Sequence, residues 1–308
     1  MIGFADYRER YVSLYTDFGF WKIFGDEQNK ELLISFLSSL FQGEQNVTDV
    51  QYLNDYAMFD ICCLNDKGER FIVEMQQAYQ RYYKDRSHYY SSFFIKERAN
   101  YGVWNLKING VYTVGILNFV FPENKYSSEY IHHDVELVDP AEYNKLFDKI
   151  NHIYIELPKF NKKEDELETM FDKLMFVLRN LSNLKERPAA LHESVFVRLF
   201  DQLEIAKLTP QEMNYYQGSL KHFRDYNNCF NTAKIEGFTE GMKKVIEYIK
   251  ENGTKEELEK FRFEKALALI KLGETLDAII KASGMPEDEV DKLKEYLKNN
   301  PLHPQLSI

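Results

Sequence analysis

The chain has 308 residues, 44% of them hydrophobic and 29% charged, with a net charge of -10. That is an ordinary globular composition, long enough for one large domain or two of usual size. No apolar run approaches the roughly eighteen residues of a membrane span, and the N-terminus lacks a basic-then-apolar leader pattern, so no membrane association and a cytoplasmic location are expected. Three cysteines, two adjacent (Cys62, Cys63) and one distant (Cys229), make neither a disulfide framework nor a zinc site.

In chain order, Asp26, Glu27 and Asn29 precede an apolar pattern at Leu32, Leu33, Phe36, Leu37 and Leu40, which predicts a helix. Strands are predicted near Val47–Leu53, Met58–Leu64 and Phe71–Gln76, then a polar-aromatic helix over Tyr79–Asn100. The run Val111–Phe121, closed by Pro122, reads as a buried strand. Tyr130–Val138 and His152–Leu157 complete the strand signals. Beyond residue 161 the pattern is helical. The expectation is an α/β domain over residues 1–160 and a helical region over 161–308, with a helix-turn-helix-like segment at about 262–298 broken at Gly273 and Gly284.

The chemistry concentrates in MFDICCLNDKGERFIVEMQQ. Asn65-Asp66-Lys67-Gly68 is a hairpin turn signal, with Gly68 suited to a left-handed position. Counting outward from a three-residue loop, Asn65 faces Glu69, Cys62 faces Ile72, Asp60 faces Glu74 and Met58 faces Gln76. Side chains alternate along a strand, so Asp60, Glu74 and Gln76 share one face, while Cys62 and Cys63 point to opposite sides. Two carboxylates directly opposed, roughly 4.5–5.5 Å apart at Cβ, repel. A hard divalent cation bound by both would explain them; a register slipped by one residue, or an outer face turned to water, would also account for the pattern.

An Asp at one strand end followed by Glu-x-Gln in the next resembles the PD-(D/E)XK nuclease superfamily. FGFWKIFG, LLISFLSSLF, KGERFIVEMQ, RSHYYSS and VYTVGILNF narrow the likeness to its recombination-promoting nuclease or transposase family, and LTPQEMNYYQGSLKHFRDYNN and EGFTEGMKK extend it along most of the chain. The resemblance implies a restriction-endonuclease-like mixed sheet flanked by helices and a metal-dependent DNA endonuclease linked to recombination. It implies Mg (Mn may substitute) at Asp60 and Glu74, with Gln76, where the superfamily more often has Lys, as the third catalytic position. Lys can act on the attacking water as a cation, whereas Gln can only orient it. Asp17 matches a further acid of the family, with a helix N-cap as its alternative reading. The family usually has a basic residue after Phe20, where Trp21 stands, leaving Lys22 as the phosphate candidate.

For DNA as the partner, the net charge of -10 is an objection, since phosphate attraction supplies most nonspecific affinity. Residues 78–107 answer it locally, with six basic side chains against two acids. Within them Arg81 is a candidate contact, and Arg86 with Tyr89 and Tyr90 matches the family's R-x-x-Y-Y. Arg suits phosphate and Tyr suits base or sugar packing; alternatively Tyr90 is core and Arg86 pairs with an acid. The would-be recognition helix Glu287–Lys298 carries five acids against three lysines, which marks a packing module and a candidate surface for homo-oligomers. A nuclease-like scaffold that binds nucleic acid or a protein without cutting is the alternative function.

Overall fold

The computed structural model describes residues 9–41, 47–53, 58–99, 109–124, 130–141, 145–271 and 276–299. They fall into two compact units, residues 1–223 and 224–308. The boundary expected near residue 160 lies inside the first unit, because Leu174, Phe196 and Leu199 bury into the same core as Phe36 and Val73.

The first unit opens with α1 (Asp17–Phe24) and α2 (Lys30–Leu40). Thr16, not Asp17, is the N-cap of α1: its side chain accepts from the Gly19 N–H, a contact of the kind that contributes about 1 kcal/mol. The predicted stripe of α2 is buried as expected. The strands β1 (Val50–Tyr52), β2 (Ile61–Asn65) and β3 (Arg70–Gln76) follow, then α3 (Tyr83–Ala99), β4 (Val111–Leu117), β5 (His132–Val138) and β6 (Lys145–Glu156). β6 begins earlier than its apolar run, at Lys145.

These strands form one mixed sheet in the order β1-β2-β3-β4-β6-β5. β3, β4 and β6 run parallel, and β1, β2 and β5 are antiparallel to their neighbours. The centre is β4, whose seven residues are all buried, as a parallel strand covered on both faces requires. On one face Phe71, Val73 and Met75 join the large core with α1, α2, α4 (Met170–Asn180) and α5 (Ser194–Gln202). On the other, Cys62, Ile72 and Val111 pack with Phe94 of α3. Cys62 and Cys63 do fall on opposite sides, one in each cluster.

α6 (Pro210–Asn252) is 43 residues long and buries Tyr216 and Leu220 in the first unit. In the second unit α7 (Lys255–Lys271), α8 (Leu276–Ser283) and α9 (Glu287–Asn299) gather around Leu269, Ile279 and Val290. Gly284 breaks the chain between α8 and α9 at φ +67°, while Gly273 lies outside the described residues. Among the described residues no helix is long and apolar enough to cross a membrane.

Candidate active site

The β2–β3 hairpin carries the site, and its turn explains its register. Gly68 adopts φ +73°, a conformation glycine takes without steric cost. The Asn65 side-chain oxygen accepts from the N–H groups of Lys67 and Glu69 at 3.0 and 2.8 Å. Asn65 N–H donates to the Glu69 carbonyl at 3.0 Å. Cys62 therefore opposes Ile72 and Ile61 opposes Val73, as the count from the turn predicts.

Pairing ends there. Asp60 stands just before β2 and its carboxylate accepts the Met75 N–H at 3.0 Å, and Met58 is exposed in a turn and has no partner across from Gln76. The paired strand expected from Met58 is three residues shorter at that end. Releasing Asp60 from the strand lets its carboxyl reach the backbone of the next strand.

Glu74 is buried, and no hydrogen bond to its carboxylate is found among the described residues. Its pKa is pushed up to about 7, first by burial and then by the Asp60 charge, with Arg86 opposing. Asp60 sits at the mouth, exposed over much of its surface. Its carboxyl pKa is raised, first because protein crowds water away from the carboxyl and also by the charge of Asp17; the Met75 N–H and Arg86 oppose. Asp17 and Asp60 line one cavity of about 220 Å³, with Trp21, Met75 and Gln77 among its walls. A larger open hollow of about 700 Å³ around Tyr11, His192 and Arg198 borders none of these acids.

Arg86 reaches both carboxylates electrostatically from α3. Its guanidinium lies 5.2 Å from the Tyr83 ring centroid and 5.8 Å from that of Tyr90. One terminal nitrogen donates to Gln80 Oε1 at 2.6 Å, and Nε is buried with no acceptor among the described residues. A buried donor without a partner costs about 1–3 kcal/mol.

The family model for the PD-(D/E)XK nuclease family transposase matches residues 14–233. The chain belongs to this family. The match takes in α1, the hairpin and α3, and ends before α7. The family supports a nuclease or transposase-like function. No curated protein and no solved structure matches the chain.

The other residues expected at the family's site are distributed unevenly. Gln76 is half-buried on β3, two residues from Glu74 and on its face. Asp17 is the first residue of α1, exposed at the cavity shared with Asp60, so the capping role expected as its alternative passes to Thr16. Lys22 is turned inward: it is 7% exposed, and its ammonium is held by Asp26 at 2.7 Å and Glu212 at 2.9 Å. That removes it as a phosphate contact. Arg81 is exposed, 5.5 Å from the Tyr82 ring. Tyr90 packs edge-on to Phe59 at 5.0 Å and serves the hydrophobic cluster, while Tyr89 is 59% exposed. Within the basic strip Lys84 is paired with Glu123, and Lys107 lies outside the described residues.

Sequence reasoning missed Tyr83 and Gln80. Tyr83 is fully buried over Gly115, the β4 partner of Glu74, where an added Cβ would stand 2.3 Å from the Tyr83 hydroxyl. The signal was present in Gly115 itself. A glycine inside an otherwise bulky buried strand marks a close approach by another group.

Proposed function

We propose that the protein is a divalent-metal-dependent endonuclease that hydrolyses DNA phosphodiester bonds, serving recombination or the movement of mobile elements. The observation that carries this reading is Glu74: a buried carboxyl that, among the described residues, has no hydrogen bond, under the charges of Asp60 and of an arginine whose Nε has no acceptor there. Such an arrangement is costly unless a cation joins it.

The donor set fits Mg, with Mn as substitute, because it consists of hard oxygens. Among the described residues no group of three His, Cys, Asp or Glu side chains is arranged to hold a metal. Asp60 and Glu74 would thus supply two ligands and leave the rest to water and phosphate, the usual way Mg is held. When bound, the ion would polarise the phosphate and lower the pKa of its water.

The chain's own residues do the positioning. Gln76 orients the attacking water through its amide, on the same face as Glu74. Arg86 offers Nε and its second terminal nitrogen to phosphate oxygens, the geometry for which guanidinium is suited. Water adds across the phosphorus–O3′ bond, leaving a 5′ phosphate and a 3′ hydroxyl. Tyr83 and Gln80 hold Arg86 in place.

The test is plasmid cleavage with added Mg or Mn, together with metal titration by calorimetry. The parent should bind metal and cut. Asp60→Ala, with its fold verified by circular dichroism, should lose roughly 10³-fold or more in rate, about 4 kcal/mol of barrier. Undiminished cutting by that variant, or no cutting by the parent with either metal, would leave a nuclease-like scaffold as the better reading.

A further inference from the structure

Around Arg86 lies a set of aromatic rings that the proposed chemistry does not use. Tyr82 immediately precedes α3, its carbonyl accepting the Arg86 N–H at 3.0 Å. Positions 82, 86, 89 and 93 recur at helical spacing and so form one stripe. Tyr82 is 64% exposed and Tyr89 59% exposed. Phe93 backs Tyr89 edge-on at 4.9 Å. Beside Asp60, the cavity wall contributes Trp21, 49% exposed. Isolated exposed aromatics are common on soluble proteins. Here Trp21 shares a cavity with Asp60, and Tyr82 and Tyr89 share a stripe with Arg86, whose charge acts on both acids and whose buried Nε has no acceptor among the described residues.

Exposed rings offer flat faces to other flat faces. A duplex buries its base faces in its own stack and shows only edges in its grooves, whereas an unpaired strand leaves them open to stacking, which is worth about 1–3 kcal/mol per base. Charge points the same way. A protein of net charge -10 gains little from phosphate neutralisation, and a duplex carries denser charge than a single strand. Affinity drawn from stacking avoids that handicap.

We propose that the site takes a DNA strand whose bases are unpaired beside the cut, stacked on Tyr82, on Tyr89 of α3 and on Trp21 of α1, with Arg86 on the intervening phosphate. This rests on the nuclease reading for the position of the cut, but binding can be measured apart from cleavage.

The experiment is fluorescence anisotropy of the full chain in EDTA, with labelled oligo(dT) and with a duplex of equal length. Oligo(dT) should bind at least about tenfold more tightly than duplex and with a shallower salt dependence. Tyr82→Ala and Tyr89→Ala should each lower oligo(dT) affinity about tenfold and leave duplex affinity unchanged; Tyr82→Phe and Tyr89→Trp should retain it. Equal or tighter duplex binding would overturn the proposal, as would alanine variants that weaken both DNAs alike. Alanine variants that bind DNA as the parent does would also overturn it and assign the rings to a protein partner. Metal-dependent, Asp60-dependent cutting of duplex without single-strand preference would sink this inference alone, while tight oligo(dT) binding without cutting by any divalent metal would sink the nuclease reading alone.

Discussion

Glu74 and Glu156 are both buried glutamates near the same end of the parallel strands β3, β4 and β6, and their surroundings differ in kind. Glu156 is fully buried, yet it accepts from the Phe121 N–H at 2.8 Å, from Asn124 at 3.1 Å and from Lys159 at 2.7 Å, with His133 at 3.1 Å. Burial alone would raise its pKa; Lys159 first, then the other donors, overcome burial and hold it below the usual glutamate value. Glu74 has no such donors: burial first and the Asp60 charge second outweigh Arg86, and its pKa rises instead. Buried carboxylates are normally satisfied within the fold. Glu74, with no hydrogen bond among the described residues, departs from that pattern, and the proposed function makes it a metal ligand.

The largest expected effect breaks the structural half of this contrast. Glu156→Ala should lower stability by about 3–5 kcal/mol, because it removes the partner of the half-buried Lys159 and leaves the buried Phe121 N–H without its acceptor. Glu74→Ala without metal should cost far less or stabilise. Urea denaturation at pH 7 measures both, and equal losses would erase the distinction.

Next comes pH. The folded pKa of Glu74, about 7, lies above the ordinary 4.5, so the fold favours the protonated form. That contribution is fully present below pH 4.5 and is lost as pH rises through 7, amounting to about 3 kcal/mol. The metal-free parent should lose this stability between those limits, and Glu74→Gln should not. Parallel stability profiles for the two proteins would show that burial and Asp60 do not hold a proton on Glu74.

A smaller effect sharpens the functional half. Gln76→Ala should slow metal-dependent cleavage roughly 10²-fold, about 2.7 kcal/mol, as for one orienting contact, with metal affinity nearly unchanged. Gln76→Lys should stay partly active and acquire a new limb in its pH–rate profile. If both variants matched the parent in single-turnover rates, Gln76 would lie outside the site.

The hairpin was legible because everything that sets it is local: Gly68 accepts the left-handed turn, Asn65 ties its own loop, and alternation does the rest. The end of pairing at Ile61 was not legible, since it depends on Asp60 bonding to the Met75 backbone rather than on any strand propensity. Lys22 looked free because its second partner, Glu212, arrives from α6, far along the chain. Arg86 was recognised as a motif residue, but its reach to both acids depends on how α3 lies across the sheet, which helical periodicity does not specify. The boundary near residue 160 was placed where the strand signals stop. Burial of α4 and α5 in the sheet's own core, invisible in periodicity, moves it.

The hairpin also bears on how the chain reaches its native state. Ile61 and Val73 meet across a short loop, whereas β3 finds β4 about forty residues further along. Local contacts close sooner than distant ones, so Asp60 and Glu74 approach each other while most of the sheet is still open. Their repulsion then falls on the folding barrier, and mutations at such early contacts alter the folding rate more than the unfolding rate. Metal-free refolding followed by stopped flow should quicken as pH falls toward the range in which Glu74 holds its proton. Glu74→Gln should refold faster than the parent at pH 8 and unfold at nearly the same rate.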